Sequence, residues 1–431
     1  MNVRIAAPQK PLRARVTVPS DKSISHRRIL FSGILPKIST ILLDRCGADV
    51  FQSLRAIEQF GCTVTRTAMS PSQQLVTIRG LQDWQSPLSD VDCGNSGTTM
   101  RLLMGLVAGQ GCEATLVGDA SLSLRPMDRV AKPLREMGAA IHSTNGCLPI
   151  NVQPAQLHGI LYTPTIASAQ VKSAVLAAGL FATGETIVVE TTSTRDHTER
   201  LLGLQPYKVG EAIEWQIDKN CEFDIPADTI PGDVSSAAYW IAAALLLDNS
   251  ELFIDAVGVN PTRTGFIEQI QQQSAAIEIT KTNNSGNEPM GTLRCKSAGA
   301  LSFMIDETTV AAVIDEIPLL AVLAAASGGA FSVRGANELR NKESDRIIAT
   351  VNGLRAMGVD CELFADGFAF ASVKRLRGAV IDCQMDHRIA LSFAIAGLCA
   401  SGETTLLGAE CAAISYPTFF SELQALTGAV R

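Results

Sequence analysis

One phrase recurs through this chain and constrains its fold more than any other feature: a leucine- or isoleucine-rich helix ending in glycine, then an alternating strand. It reads LRAIEQFGCTVT at 54–65, LREMGAAIHS at 134–143 and LRAMGVDCEL at 354–363, with weaker copies IEQIQQQSAAIEIT at 267–280 and ELQALTGAV at 422–430. Glycine after the last helical turn supplies the left-handed cap that stops a helix. A second phrase alternates with it: a polar or charged opening, about three turns of apolar helix, then a strand. Its copies open at Ser20, Asp92, Thr165, Pro231, Asp315 and Asp386, spaced 72, 73, 66, 84 and 71 residues apart. Each repeat is then a supersecondary unit with two helices and several short strands, and six of them fill the 431 residues. The segment LLGLQPYKVGEAIEW at 201–215 fits the first phrase poorly.

Helices of the second phrase are apolar nearly all round, as in VKSAVLAAGLFA at 171–182 and IPLLAVLAAAS at 317–327. A helix with no polar face has to be buried inside a layer of sheets. Three units per domain would enclose a bundle of parallel buried helices. The Pro- and Asp-rich segment DIPADTIPGD at 224–233 divides the chain near its middle and is expected to be a hinge. The strand RVTVP at 15–19 precedes the first unit and is expected to pair with the last, making residues 18–22 a second crossing. The domains expected on this basis are 21–228, and 1–20 together with 229–431.

Composition removes several function classes. The net charge is −7 and Lys and Arg form no long block, which argues against the basic face that nucleic-acid binding needs. The 11 cysteines are scattered, with no C-x-x-C pair and no zinc-like spacing, and read as small reduced core residues. His26, His197 and His387 occupy three different units, and neither H-x-x-x-H nor H-E-x-x-H occurs, so no metal is expected. A Walker loop, G-x-G-x-x-G and G-x-S-x-G are also missing. MNVRIAAPQK lacks the apolar core of a secretion signal, and the apolar run AAYWIAAALLL at 237–247 is too short to span a bilayer, so a cytoplasmic location is expected.

The chemistry is expected where the buried helices begin. Their openings read SDKSISHRR (20–28), DCGNSGTTMR (92–101), ASAQVKS (167–173), PGDVSS (231–236), DEIP (315–318) and DHRIA (386–390). Taken singly, Ser20, Asp92, Asp315 and Asp386 read as N-caps, and Asn95 and Gly97 as turn residues. Arg125 reads equally well as a loop charge. ELRNKESDRII at 338–348 reads as an exposed helix with charge pairs three and four residues apart. Taken jointly, basic and acidic groups recur at corresponding places in different units, which capping does not require. Parallel helices would bring their N-termini to one face of each domain, and such ends bind anions through free N–H groups and the dipole. A cleft of this kind, with several cations and a few carboxylates, suits moving a group between small anions by acid–base catalysis.

DKSISHR (21–27), GNSGTTMR (94–101), SLRPM (123–127), ASAQVKSA (167–174), TRDHTERLL (194–202), NPTRTG (260–265), KESDR (342–346) and DHRIA (386–390) stand in order along the chain. This series resembles the EPSP synthases, the 3-phosphoshikimate 1-carboxyvinyltransferases of the shikimate pathway, over nearly the whole length. The resemblance implies a two-domain inside-out α/β fold with three β-α-β-α-β-β units in each domain. It also implies transfer of the enolpyruvyl group of phosphoenolpyruvate to shikimate 3-phosphate through a tetrahedral intermediate, without metal or organic cofactor, by a monomer.

Position by position, the resemblance makes Lys22 a contact of both substrates and a help in proton transfer. Ser23, Arg27, Ser168, Ala169, Gln170, Thr194 and Arg195 become shikimate-phosphate ligands, with Gln170 reaching both substrates. Asp315 becomes the base for the attacking hydroxyl and Lys342 a neighbouring substrate ligand. Gly97, Arg125, Arg346 and Arg388 fall to phosphoenolpyruvate, and Glu343 becomes the carboxyl handling the proton at its methylene carbon. Arg28 receives no role. One departure stands out: many members carry a lysine in the C-terminal segment where AAISYP (412–417) offers Ile414. The nearest alternative, UDP-N-acetylglucosamine enolpyruvyl transferase, opens with Lys-Asn-Ala and carries a reactive Cys or Asp where this chain has Ala120. A catalytically inactive anion-binding relative would need the arginines but neither Asp315 nor Glu343.

Overall fold

A computed structural model describes residues 1–274 and 276–431; Ala275, within the phrase at 267–280, lies outside the described residues. The chain divides into two compact units. One holds residues 20–230 and 284–288, the other residues 1–19, 231–283 and 289–431. Each has its own hydrophobic core.

Among the described residues, the 20–230 unit has three sheets wrapped around the helices Lys22–Gly33, Gly97–Gln110 and Ala169–Gly179. The repeat is plainest in the middle sheet. Val91–Asp92 leads into the helix Gly97–Gln110, returns as the parallel strand Ala114–Val117, and continues through the outer helix Asp128–Glu136. It closes with the antiparallel hairpin Ala140–Thr144 and Cys147–Gln153. That is a β-α-β-α-β-β unit. The sheet Leu161–Tyr162, Thr186–Glu190, Ala212–Ile217 and Tyr207–Val209 repeats the pattern. The segment 201–215 therefore follows the phrase in a short form. Its helix His197–Leu202 has only six residues and stops at Gly203, whose φ is +68°.

The 231–431 unit likewise encloses Val234–Leu246, Ile317–Ser327 and His387–Cys399. The N-terminal strand corrects the expectation. Arg13–Thr17 runs parallel to Glu251–Gly258 in the fourth repeat, and it is Asn2–Ile5 that joins the last sheet, antiparallel to Thr404–Leu407. The last repeat ends in the helix Phe419–Thr427 rather than a hairpin, which leaves a sheet edge for residues 2–5 to fill.

The glycines of the recurring phrase take the expected left-handed conformation, with φ between +69° and +97° at Gly61, Gly138, Gly358 and Gly428. The caps are less as expected. The first core helix is capped by Asp21, whose Oδ1 accepts from the Ile24 N–H at 2.9 Å, while Ser20 Oγ accepts from the Asp44 N–H. Ser96, not Asp92, caps the second, and Asp386 does cap the last. Asp315 lies two residues ahead of its helix, whose cap position is taken by Glu316.

Close packing of core helices depends on small residues. A Cβ added at Gly105 would stand 2.2 Å from the Ala174 carbonyl oxygen, a backbone atom of the neighbouring helix. Gly105→Ala is therefore expected to cost at least about 2 kcal/mol, seen as a lower urea midpoint at unchanged slope.

Candidate active site

In the 20–230 unit, the N-terminal turns of the three core helices are cross-linked. Gln170 Oε1 accepts from Arg101 Nη1 at 2.6 Å, and Gln170 Nε2 donates to Thr98 Oγ1 at 3.0 Å. Arg27 reaches from the first helix to the third, donating through Nη2 to Ser173 Oγ at 2.8 Å. Its Nε donates to Thr198 Oγ1 at 2.7 Å and its Nη1 to the Ser23 carbonyl at 3.0 Å. Lys22, the first residue of its helix, pairs with Asp49 at 3.0 Å and stays partly exposed. Arg125 donates to Asn95 Oδ1 at 2.7 Å from the loop ahead of Asp128–Glu136. A Cβ at Gly97 would sit 2.6 Å from Arg101 Nη1 and 3.5 Å from Arg125 Nη1, so both guanidiniums gather against this bare backbone position.

Thr194 is fixed through its N–H and its hydroxyl, both donating to Glu190 Oε1, at 3.2 and 2.5 Å. Arg27 titrates low, at about 10: burial is the main cause, and the neighbouring Arg195 adds to it, while Glu199 opposes. Arg195 is thus near enough to disfavour the Arg27 charge, while the carboxylate of Glu199 favours it more strongly.

The 231–431 unit gathers the remaining candidates around one carboxylate. Asp315 Oδ1 lies 3.2 Å from both Lys342 Nζ and Arg346 Nη1, and Oδ2 lies 3.9 Å from Arg388 Nη2. Glu343 Oε2 meets Arg346 Nη2 at 2.5 Å. Arg346 is itself buried and anchored to the fully buried Asp386 at 2.8 Å. Burial works against its charge, but Asp386, Glu343 and Asp315 outweigh that and raise its pKa above the ordinary value. Arg388 donates to Glu316 Oε1 at 2.8 Å and to the Asp315 carbonyl at 3.1 Å. The stretch 338–348 is not one exposed helix: a 3-10 turn at Asn337–Asn341 and the helix Arg346–Ala356 leave Lys342 and Glu343 between them.

A family model described as EPSP synthase (3-phosphoshikimate 1-carboxyvinyltransferase) matches residues 6–423. The chain belongs to the EPSP synthase family. The 3-phosphoshikimate 1-carboxyvinyltransferase of Salinibacter ruber is 41% identical over 418 residues, covering 96% of each chain. That of Acidithiobacillus ferrooxidans is 41% identical over 424 residues, covering 96% of this chain and 95% of the relative. A solved structure of EPSP synthase from Acinetobacter baumannii superposes with a TM-score of 0.85 at 38% identity, over 100% of this chain and 99% of that one. The fold is the two-domain inside-out α/β fold of EPSP synthases.

Several supporting pairings escaped the sequence reading. Asp49, Arg101, Glu316 and Asp386 each hold a candidate side chain, but each arrives from a different helix, so no local motif joins it to its partner. Arg101, Glu316 and Asp386 had a signal only as members of GNSGTTMR, DEIP and DHRIA. Arg28 is explained by structure rather than catalysis. Its Nη1 donates to the carbonyls of Pro226 and Asp228, and its Nη2 to Asp228 Oδ1 and Ser285 Oγ. Ile414 ends a 3-10 turn and packs against the apolar core. Among the described residues, no group of three His, Cys, Asp or Glu is placed to hold a metal.

Two measurements check this electrostatic picture. Asp386→Asn keeps the cap but breaks the buried pair with Arg346, and is expected to cost about 3 kcal/mol by chemical denaturation. His26 is fully buried against Ser53 Oγ, and burial pushes its pKa down to about 3. The unfolded chain then binds a proton below about pH 6.5 that the native protein refuses, so stability falls as the pH drops toward 3. Wild type is expected to lose about 1.5 kcal/mol more than His26→Asn between pH 6.5 and 5.

Proposed function

We propose that this chain transfers the enolpyruvyl group of phosphoenolpyruvate to the 5-hydroxyl of shikimate 3-phosphate, giving 5-enolpyruvylshikimate 3-phosphate and phosphate, on the route to aromatic amino acids. The observation that carries the reading is the Asp315 cluster: one carboxylate ringed by Lys342, Arg346 and Arg388, with a second carboxylate, Glu343, on the same guanidinium. A store of positive charge with its own acid and base fits two anionic substrates that must exchange protons.

Asp315 takes the proton of the 5-hydroxyl as that oxygen attacks C2 of phosphoenolpyruvate, assisted by Lys342 beside it. Glu343, with Lys22, delivers a proton to the methylene carbon, giving a tetrahedral intermediate. Loss of that proton and cleavage of the C–O bond to phosphate regenerate the double bond. Arg346, Arg388, Arg125, Lys22, Gln170 and the Gly97 backbone hold the carboxylate and phosphate of the donor. An incoming carboxylate competes with Glu343 for Arg346 and adds negative charge beside it. Both effects favour the protonated form that an acid needs. Ser23, Arg27, Ser168, Ala169, Gln170, Thr194 and Arg195 take shikimate 3-phosphate, its phosphate placing negative charge beside the Arg27 and Arg195 guanidiniums.

The same reading takes 21–228 and 1–20 with 229–431 as domains, hinged near 18–22 and 224–233, in a cytoplasmic monomer. Among the described residues, no helix is long and apolar enough to cross a membrane.

Phosphate release from the purified protein tests the reaction. Release is expected only with both substrates present, and none with both, or equal release with either alone, contradicts the assignment. Lys22→Ala should lower turnover by at least about 100-fold while leaving the melting temperature near wild type.

A further inference from the structure

Lys172 is a buried ammonium held between two buried carboxylates. Its Nζ lies 2.7 Å from Glu190 Oε2 and 2.6 Å from Glu199 Oε1, with the three side chains 1%, 4% and 0% exposed. Burying such a group costs desolvation, and apolar residues of similar volume often serve stability as well or better. Stability is therefore a poor reason for its presence. Placement is a better one.

The cluster joins three segments: the helix Ala169–Gly179, the end of the strand Thr186–Glu190 and the short helix His197–Leu202. Beside each charge stands a contact to a proposed substrate ligand. Ser173 follows Lys172 and Thr198 precedes Glu199; their hydroxyls hydrogen-bond at 2.7 Å, and both accept from Arg27. Glu190 uses Oε1 to hold Thr194 and Oε2 to accept from Trp215 Nε1 at 2.7 Å, so its carboxylate cannot turn freely. Glu199 is also the strongest of the charged neighbours that keep Arg27 protonated.

We propose that Lys172, clamped between Glu190 and Glu199, is a positioning residue for the shikimate-phosphate subsite, fixing where Arg27 and the Thr194–Arg195 pair stand without touching substrate. This rests on the reading of that subsite given above. Without the ammonium, two buried carboxylates repel, and the rungs under Arg27 and Thr194 slacken together. The donor contacts depend less on it, because Arg125 is anchored on Asn95.

Steady-state kinetics on the full chain test the proposal through Lys172→Met, the charge-conserving double variant Lys172→Met/Glu199→Gln, Glu190→Gln and Arg195→Ala. Lys172→Met and the double variant are each expected to raise KM for shikimate 3-phosphate about tenfold, with KM for phosphoenolpyruvate within about twofold of wild type. Glu190→Gln keeps the shape but weakens the hold on Thr194, and a rise of about threefold is expected. If Lys172→Met does not fold, the double variant and Glu190→Gln decide. An unchanged shikimate 3-phosphate KM in the folded variants, or an equal rise for both substrates, overturns the proposal. Arg195→Ala separates the two levels: no change there defeats the subsite reading itself, whereas a large rise there with silent Lys172 variants defeats only the positioning role.

Discussion

The structure depends on six core helices that are buried nearly all round. Such a helix is stable in water only when enclosed, so each unit surrounds three of them with sheets, and the Lys and Arg they carry lie in their first two turns. The ends cannot be treated the same way. The first N–H groups of each helix have no partner within it, and a buried helix start needs side chains, solvent or ligands to satisfy them. Asp21, Ser96, Ser168, Asp233 and Asp386 do so as caps. The same openings carry the cations and carboxylates of the candidate site, and chemistry concentrates where the enclosing apolar layer has to stop.

Gathering cations at the positive ends of helices creates a second problem, which the two units solve differently. Around Asp315 the arginines are matched by the protein's own carboxylates, Asp386 and Glu343 on Arg346 and Glu316 on Arg388. Those pairs preorganise the guanidiniums and leave Asp315 within reach of three cations. Around Arg27 the compensation comes from behind, through hydroxyls and the buried Glu199. Arg195 stands near enough to disfavour the Arg27 charge, against the stronger pull of Glu199. The first arrangement suits proton transfer at a reacting carbon, the second the capture of a phosphate.

Much of this was legible from residue order. Gly61, Gly138 and Gly358 announced helix ends because few other residues take a positive φ cheaply, and the apolar runs announced burial because nothing on them could face water. The motif residues Lys22, Arg125, Asp315, Glu343, Arg346 and Arg388 could be named from sequence because each motif is a short contiguous string. Partners were another matter. Asp49 serves Lys22 across 27 residues and Arg101 serves Gln170 across 69, distances at which no local pattern records who meets whom. The first strand was misassigned for a related reason, since its pairing is settled by which sheet edge is open, a property of the folded sheets.

The amino-acid sequence by itself determined the repeat, its six copies, the burial of the central helices and the inventory of charges, because period, cap and polarity act over a few residues. Tertiary structure decided which helix each guanidinium leans on, which residue caps which end, that Arg28 ties the 226–228 segment to a core helix, and that Lys172 stands between two glutamates. Those choices depend on groups brought together from distant parts of the chain, whose energies arise only when burial removes water from between them.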